Sequence, residues 1–305
     1  MSVTQPHVRL HKRTAPAAKT GTWRDFLALT KPEITFLVAI TTVAGFLLAP
    51  VTLWEASVFW AALVGTVLTS AGACVLNHVA EYRLDASMKR TAGRPLPSGR
   101  VDVDHAFYLG IALAGAGIGL LCPLTNSLTA TLAILTVLLY VYVYTPLKRA
   151  TWLNTWVGTL PGALPALGGY TAVTGAVGPE GLLLFGILLA WQIPHFLSLA
   201  WMYRHDYARG GFAMITSAEG GIRRTRWHML VWSLIMLLFT ILLGIQAQLG
   251  LVYFAGIALL CIPYGRSLAH FLARPTGTRA RGVLKATVYV IPAVVLLIGL
   301  ARLAA

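Results

Sequence analysis

The chain has 305 residues, 57% of them hydrophobic and only 11% charged, with 24 Lys and Arg against 10 Asp and Glu and a formal net charge of +14. A soluble globule carries nearer a quarter charged residues, so the composition excludes one and indicates an integral membrane protein. The basic excess does not indicate nucleic acid as a partner, because it falls in alternate loops between apolar segments.

Residues 1–24 are basic, contain no acid and have no apolar h-region before a cleavage site, so they read as a disordered cytoplasmic arm. The remainder, 25–305, reads as a single membrane domain with no long hydrophilic insert. A span needs about 20 mainly apolar residues, which predicts nine: 34–50, 56–76, 106–124, 127–145, 152–173, 181–201, 228–247, 249–265 and 285–303. The fold class is therefore all-α, a polytopic bundle; a closed barrel would show short alternating segments instead. The segment before span 1 and the loops after spans 2, 4, 6 and 8 hold all the Lys and Arg except Arg302 and Lys285, which opens span 9, and the loops after spans 1, 3, 5 and 7 hold none. The basic side is then cytoplasmic, with the N-terminus inside and the C-terminus outside. Anionic lipid head groups are the plain partners for much of that charge.

Cys74, Cys122 and Cys261 lie in or at the ends of apolar segments without CxxC spacing and read as packing residues. The small residues of Pro161 to Gly169, PGALPALGG, permit close helix approach. Pro194 removes a backbone donor inside span 6, which predicts a kink or a freed carbonyl near His195.

The end of span 2 is the most informative stretch. Asn77, Glu81 and Asp85 stand four residues apart, so on a helix each step rises roughly 6 Å and turns about 40°, leaving three oxygen-bearing side chains on one face. Hard cations take oxygen donors and are commonly shared between one or two carboxylates and a substrate's phosphates. With Lys89, Arg90 and Arg94 in the following loop, the strip reads as an Mg²⁺ and diphosphate site at a membrane surface. The plainer alternative is an interfacial anchor in which Arg83, Lys89 and Arg90 simply pair with the acids. Tyr203, Arg204, His205 and Asp206 form a matching polar helix end after span 6, four helices on, and the two ends meeting across the bundle would enclose one cytoplasmic cavity. The segment Tyr144 to Thr151, YTPLKRAT, adds Lys148 and Arg149 to its rim. His195 follows Pro194 and lies about three turns before Asp206; a histidine in an apolar span is more often hydrogen-bonded structure than a ligand, yet ionisable residues there are functional candidates. His78 neighbours Asn77 and could reach the same cavity.

The pattern N77-xxx-E81-xxx-D85-xx-M88-x-R90-T91-xx-R94-P95-L96 resembles the first motif of the UbiA-type intramembrane prenyltransferases, and is closest to their heme-farnesylating branch. The segments TKPEIT at 30–35, YTPLKRAT at 144–151 and WQIPHFLSLAWMYRHDYARGGF at 191–212 are similar to the same branch, so the resemblance covers nearly the whole chain. Relatives that prenylate quinone precursors mostly carry a second DxxxD motif after span 6, whereas this chain has one acid there, Asp206; it also has Ala213 where the branch has Pro. The resemblance implies transfer of farnesyl from farnesyl diphosphate to the vinyl group of heme b, with addition of water, giving heme O. It implies Mg²⁺ on Asn77, Glu81 and Asp85, with Arg90, Arg94, Lys148 and Arg149 neutralising the diphosphate. Lys89, Tyr144, His195, Tyr203 and Arg204 become substrate contacts, and Asp206 a catalytic residue that positions water or heme. A heme A synthase is the implied partner, and a bacterial plasma (inner) membrane the implied location, with the active site on the cytoplasmic side. The alternatives are a prenyltransferase acting on an aromatic quinone precursor and a polytopic transporter, whose sites ordinarily lie at the midplane and not at a membrane edge.

Overall fold

A computed structural model describes residues 21–50, 55–218 and 220–304; most of the expected arm, residues 1–20, lies outside them. The described residues form thirteen α-helices and no strand. Helix α1, Trp23–Leu29, begins two residues inside the stretch expected as arm. It meets α2, Pro32–Leu48, at a bend of 52°. Pro32 disfavours the right-handed helical region for the residue before it, and Lys31 takes the left-handed one instead, with φ 48°. The bend turns the Lys31 side chain into the bundle, where the site forms.

Helix α3, Ala56–Asp85, runs nine residues beyond the expected span, because nothing from Asn77 to Asp85 breaks a helix and the polar ladder simply continues it. Helix α4, Val103–Leu124, is capped by Asp102, which accepts from the amides of Asp104 and His105 at 2.9 and 3.2 Å. Asn126 caps α5, Ser127–Leu138, in the same way through the Thr129 amide at 2.9 Å. A π-helical segment, Leu139–Tyr144, joins α5 to α6, Thr145–Ala150. Then come α7, Asn154–Val157, α8, Thr159–Thr174, and α9, Pro179–Met202. Helix α9 continues through Pro194, and Ser198 Oγ donates to the Pro194 carbonyl at 2.7 Å. The chain closes with α10, Arg204–Arg209, α11, Gly221–Gln246, α12, Gly250–Ala273, and α13, Gly277–Ala304.

Seven segments among the described residues are long and apolar enough to cross a membrane, and the bent α1–α2 pair makes eight. The stretch expected as the fifth of nine spans, 152–173, is divided between α7 and α8, and the 16 residues of α8 are short for a span of about 20. Helix α8 packs between α2, α5 and α9. Close approach to α2 requires glycine: a Cβ on Gly45 would overlap the Ala166 carbonyl, and one on Gly169 the Thr42 carbonyl. The main core gathers around α9, with Trp191, Ile193 and Leu197 packed among Tyr253, Phe271 and Ile298. A smaller cluster of Leu29, Val75, Leu96, Val101 and Ala106 fastens the loop after α3 against α1 and α4. That second cluster holds the basic loop over the end of the ladder.

Candidate active site

At the basic end of the bundle, the last turns of α3 meet the α1–α2 bend, the π-helical segment with α6, and the loop from α10 towards α11. Between them lies a cavity of about 110 Å³ whose walls include Asn77, Glu81 and Asp85 on one side and Lys31, Arg90, Arg94 and Lys148 facing them. The ladder is deeply placed: Asn77 is 1% exposed, Glu81 5% and Asp85 2%. Charges this buried need partners, and each rung has one. Lys31 Nζ donates to Asn77 Oδ1 at 2.7 Å, Lys148 Nζ to Glu81 Oε1 at 2.7 Å, and Arg94 to Asp85 Oδ2 at 2.7 Å.

The partners come from three separate elements. Pro32 sets the bend that delivers Lys31, which also donates to Tyr140 OH at 3.2 Å. The π-helical segment stacks Tyr140 on Tyr144 at 5.7 Å, and Lys148 Nζ lies 4.4 Å from the Tyr144 ring. The loop after α3 curls back through a bond from Thr91 Oγ1 to the Asp85 carbonyl at 2.8 Å, which brings Arg94 over the end of the ladder. Asn77 Nδ2 donates to Thr145 Oγ1 at 2.9 Å, leaving its amide oxygen turned to the cavity.

Among the described residues no cluster of three or more His, Cys, Asp or Glu side chains is placed to hold an ion alone. The second oxygens, Glu81 Oε2 and Asp85 Oδ1, have no hydrogen-bond or ionic partner among the described residues. Two open carboxylate oxygens and an amide oxygen on one helix face fit Mg²⁺ whose remaining positions are filled by phosphate oxygens and water, and not a cage made by protein alone. Beside them His78 is 3% exposed with neither ring nitrogen bonded, its Nδ1 4.0 Å from Asp85 Oδ2.

Of the residues singled out from the sequence, Asn77, Glu81, Asp85, Arg90, Arg94, Tyr144 and Lys148 are brought together here. The others stand elsewhere. Lys89 and Arg149 are exposed and outside the cavity wall, because each points outward from its turn. Arg204 donates to the Trp201 carbonyl at 3.1 Å and lies over the Trp201 ring. His195 bonds Thr287 Oγ1 at 3.0 Å and stacks on Trp191 at 5.1 Å, so it joins α9 to α13. Tyr203 lies under the Arg90 guanidinium at 5.2 Å, with Tyr207 at 5.7 Å.

Asp206 is not a cavity wall either. Helix α9 stops before it, and its carboxylate turns to the backbone amides of Lys89 and Arg90, at 3.1 and 3.2 Å, and to Arg209. Hydrogen bonding to Arg209, and then to those two amides, holds its carboxyl below the usual carboxylate range against the opposing effect of burial. Ala213 donates its N–H to the Lys148 carbonyl at 2.8 Å, a bond a proline there could not make, and Asn154 Nδ2 donates to the Ala213 carbonyl at 2.7 Å. Sequence reasoning assigned no role to Lys31, Tyr140 or Asn154; the proline after Lys31 was the one local signal.

The model of the UbiA prenyltransferase family matches residues 38–298. The chain belongs to the UbiA prenyltransferase family. This prenyltransferase is 49% identical over 275 residues to a protein of Salinibacter ruber named Protoheme IX farnesyltransferase, an alignment that covers 90% of this chain and 97% of the relative. A Pseudomonas putida protein named Protoheme IX farnesyltransferase 1 is 41% identical over 234 residues, 75% of this chain and 77% of that one. Among solved structures, a UbiA homolog from Archaeoglobus fulgidus, bound to DMAPP and Mg²⁺, superposes with a TM-score of 0.71 at 16% identity, covering 92% of this chain and 99% of that one. At that identity the likeness establishes the shared fold, an all-helical polytopic membrane bundle.

Proposed function

We propose that this prenyltransferase transfers a farnesyl group from farnesyl diphosphate to the vinyl group of heme b, with addition of water, giving heme O and diphosphate. The observation that carries the reading is the 49% identity, over almost the full length of both chains, to a protein named Protoheme IX farnesyltransferase. The geometry of the cavity suits the diphosphate half of the reaction. Asn77, Glu81 and Asp85 supply the oxygen donors for Mg²⁺, which when bound neutralises charge on the diphosphate; the Mg²⁺ of the Archaeoglobus fulgidus homolog supports that choice of ion.

The chain's own cations do the rest. Lys31, Lys148 and Arg94 leave the ladder oxygens for the incoming phosphate oxygens, with Arg90 completing the rim. As the bond between farnesyl C1 and oxygen breaks, they stabilise the electron pair that departs with the diphosphate, an effect that is large where water is largely excluded. The allylic cation that remains is attacked by the terminal carbon of the heme vinyl group, forming a carbon–carbon bond. Positive charge then sits on the vinyl carbon next to the porphyrin, where water adds and releases a proton to solvent. We place the reaction at the cytoplasmic face of a bacterial inner membrane, since the site lies at the basic end of the bundle, and expect a heme A synthase to take the product.

The test is to incubate the purified protein in lipid with heme b, farnesyl diphosphate and Mg²⁺ and follow products by mass spectrometry. A heme heavier by one farnesyl group and one water, and lost on chelation, is the expected result. No such product, with an aromatic quinone precursor prenylated in its place, would keep the diphosphate site and replace the acceptor.

A further inference from the structure

A second pair of cavities lies away from the diphosphate site. At the start of α11, an open pocket of about 760 Å³ is walled by Arg223, Arg226, Trp227, Leu230 and Leu272. Neither arginine makes a hydrogen bond or ion pair among the described residues, and the sequence from 219 to 228, EGGIRRTRWH, carries three arginines against one acid. Trp227 is 63% exposed beside them, the amphipathic ring expected at the headgroup level of a membrane. Below it, a narrow cleft of about 160 Å³ runs between α11 and α12, floored by Val290 and Val294 of α13. Leu230 belongs to both, so pocket and cleft adjoin at that side chain.

The cleft exists because α11 packs chiefly on α9 and α12 chiefly on α13, so these two consecutive helices touch each other little. From Leu230 to Thr240 it extends about 15 Å along α11, roughly the depth one acyl chain spans in a single leaflet. Its lining is almost wholly apolar, and its two hydroxyls near the middle, Ser233 and Tyr264, satisfy each other at 2.5 Å. A slot that narrow seats a hydrocarbon chain and not a porphyrin. Arginines unpaired among the described residues, at the cytoplasmic end of an apolar slot, are complementary to a phosphate with a fatty tail.

We infer that this adjoining pocket and cleft bind an anionic phospholipid of the inner leaflet, the phosphate on Arg223 and Arg226 and one acyl chain between α11 and α12. The site is separate from the diphosphate cavity and does not depend on the reaction assigned to it. The test is native mass spectrometry of the full-length protein in detergent with an equimolar mixture of phosphatidylglycerol and phosphatidylcholine. Phosphatidylglycerol should be retained roughly thirty-fold over phosphatidylcholine, the scale of two basic residues at a membrane surface, and R223Q/R226Q should abolish that preference. Gly265 lines the cleft, and a Cβ there meets nothing within 4 Å, so Gly265→Leu adds bulk at the cleft wall from an unobstructed Cβ and should lower retention several-fold with the arginines intact. Equal retention of both lipids by the unaltered protein, or an unchanged preference in R223Q/R226Q, overturns the headgroup site. Unchanged retention in Gly265→Leu overturns the acyl seat. Displacement of phosphatidylglycerol by heme b, with heme binding lost in R223Q/R226Q, would make the pocket an acceptor site instead. None of these readouts requires farnesyl transfer.

Discussion

The pair formed by Asp85 and Arg94 should respond unequally to loss of either partner. They meet at 2.7 Å, but Asp85 is 2% exposed and Arg94 28%. In Asp85→Asn the guanidinium is left without its carboxylate yet reaches water, so the cost should stay below about 1 kcal/mol, as for exposed pairs. In Arg94→Gln a buried carboxylate is stranded, a loss of about 3–5 kcal/mol in comparable buried pairs. Activity should follow the other order. Asp85→Asn replaces a charged oxygen donor of the proposed diphosphate site with a neutral one and should cost at least about a hundred-fold in turnover, the scale of deleting one preorganised charge stabiliser. Arg94→Gln should mainly raise the KM for farnesyl diphosphate. Thermal midpoints of detergent-solubilised protein, compared with initial rates of heme farnesylation, measure both. If Asp85→Asn proves the less stable variant, or turns over like the unaltered enzyme, the burial argument or the ligand assignment respectively is wrong.

Chelation should abolish turnover while leaving the thermal midpoint unchanged, because every rung of the ladder has a protein partner without the ion; unfolding in a chelator would contradict that. Asp206 should contribute to stability at neutral pH, and because its folded carboxyl titrates below the usual range of about 3.9, that contribution is intact above this value and lost as pH falls through the lowered one. The midpoint difference between the unaltered protein and Asp206→Asn should therefore shrink below about pH 4, and a pH-independent difference would count against the Arg209 pair. Gly169→Val should prevent folding, seen as loss of a monodisperse peak on size exclusion, since its Cβ would overlap the Thr42 carbonyl.

The ladder was legible because its geometry is local: four-residue spacing on a helix fixes one face whatever surrounds it. The apolar segments were legible for the same reason. What faces the ladder was not. Lys31 reaches Asn77 across 46 residues and Lys148 reaches Glu81 across 67, contacts that no local pattern encodes. Asp206, expected to position water or heme, is turned by the end of α9 at Met202 to the backbone of the opposite loop, an arrangement no local pattern encodes. His195, singled out because it follows Pro194 and precedes Asp206 by about three turns, has its Nδ1 hydrogen-bonded to Thr287 on a helix far along the chain, which no local pattern encodes either.

The π-helical segment Leu139–Tyr144 sets the rotational register of everything after it. A π-turn holds about one residue more than an α-turn, so the helix beyond it is offset by one residue without being broken. Deleting one residue between 139 and 144 would remove the extra residue and leave Lys148 in place, but rewinding the segment as uninterrupted α-helix at unchanged length would swing Lys148 about 100° away from Glu81 with no change in hydrophobicity. A hydropathy profile could not register that loss. The candidate site is therefore tied to the winding of this one turn more tightly than to the identity of the aliphatic residues around it.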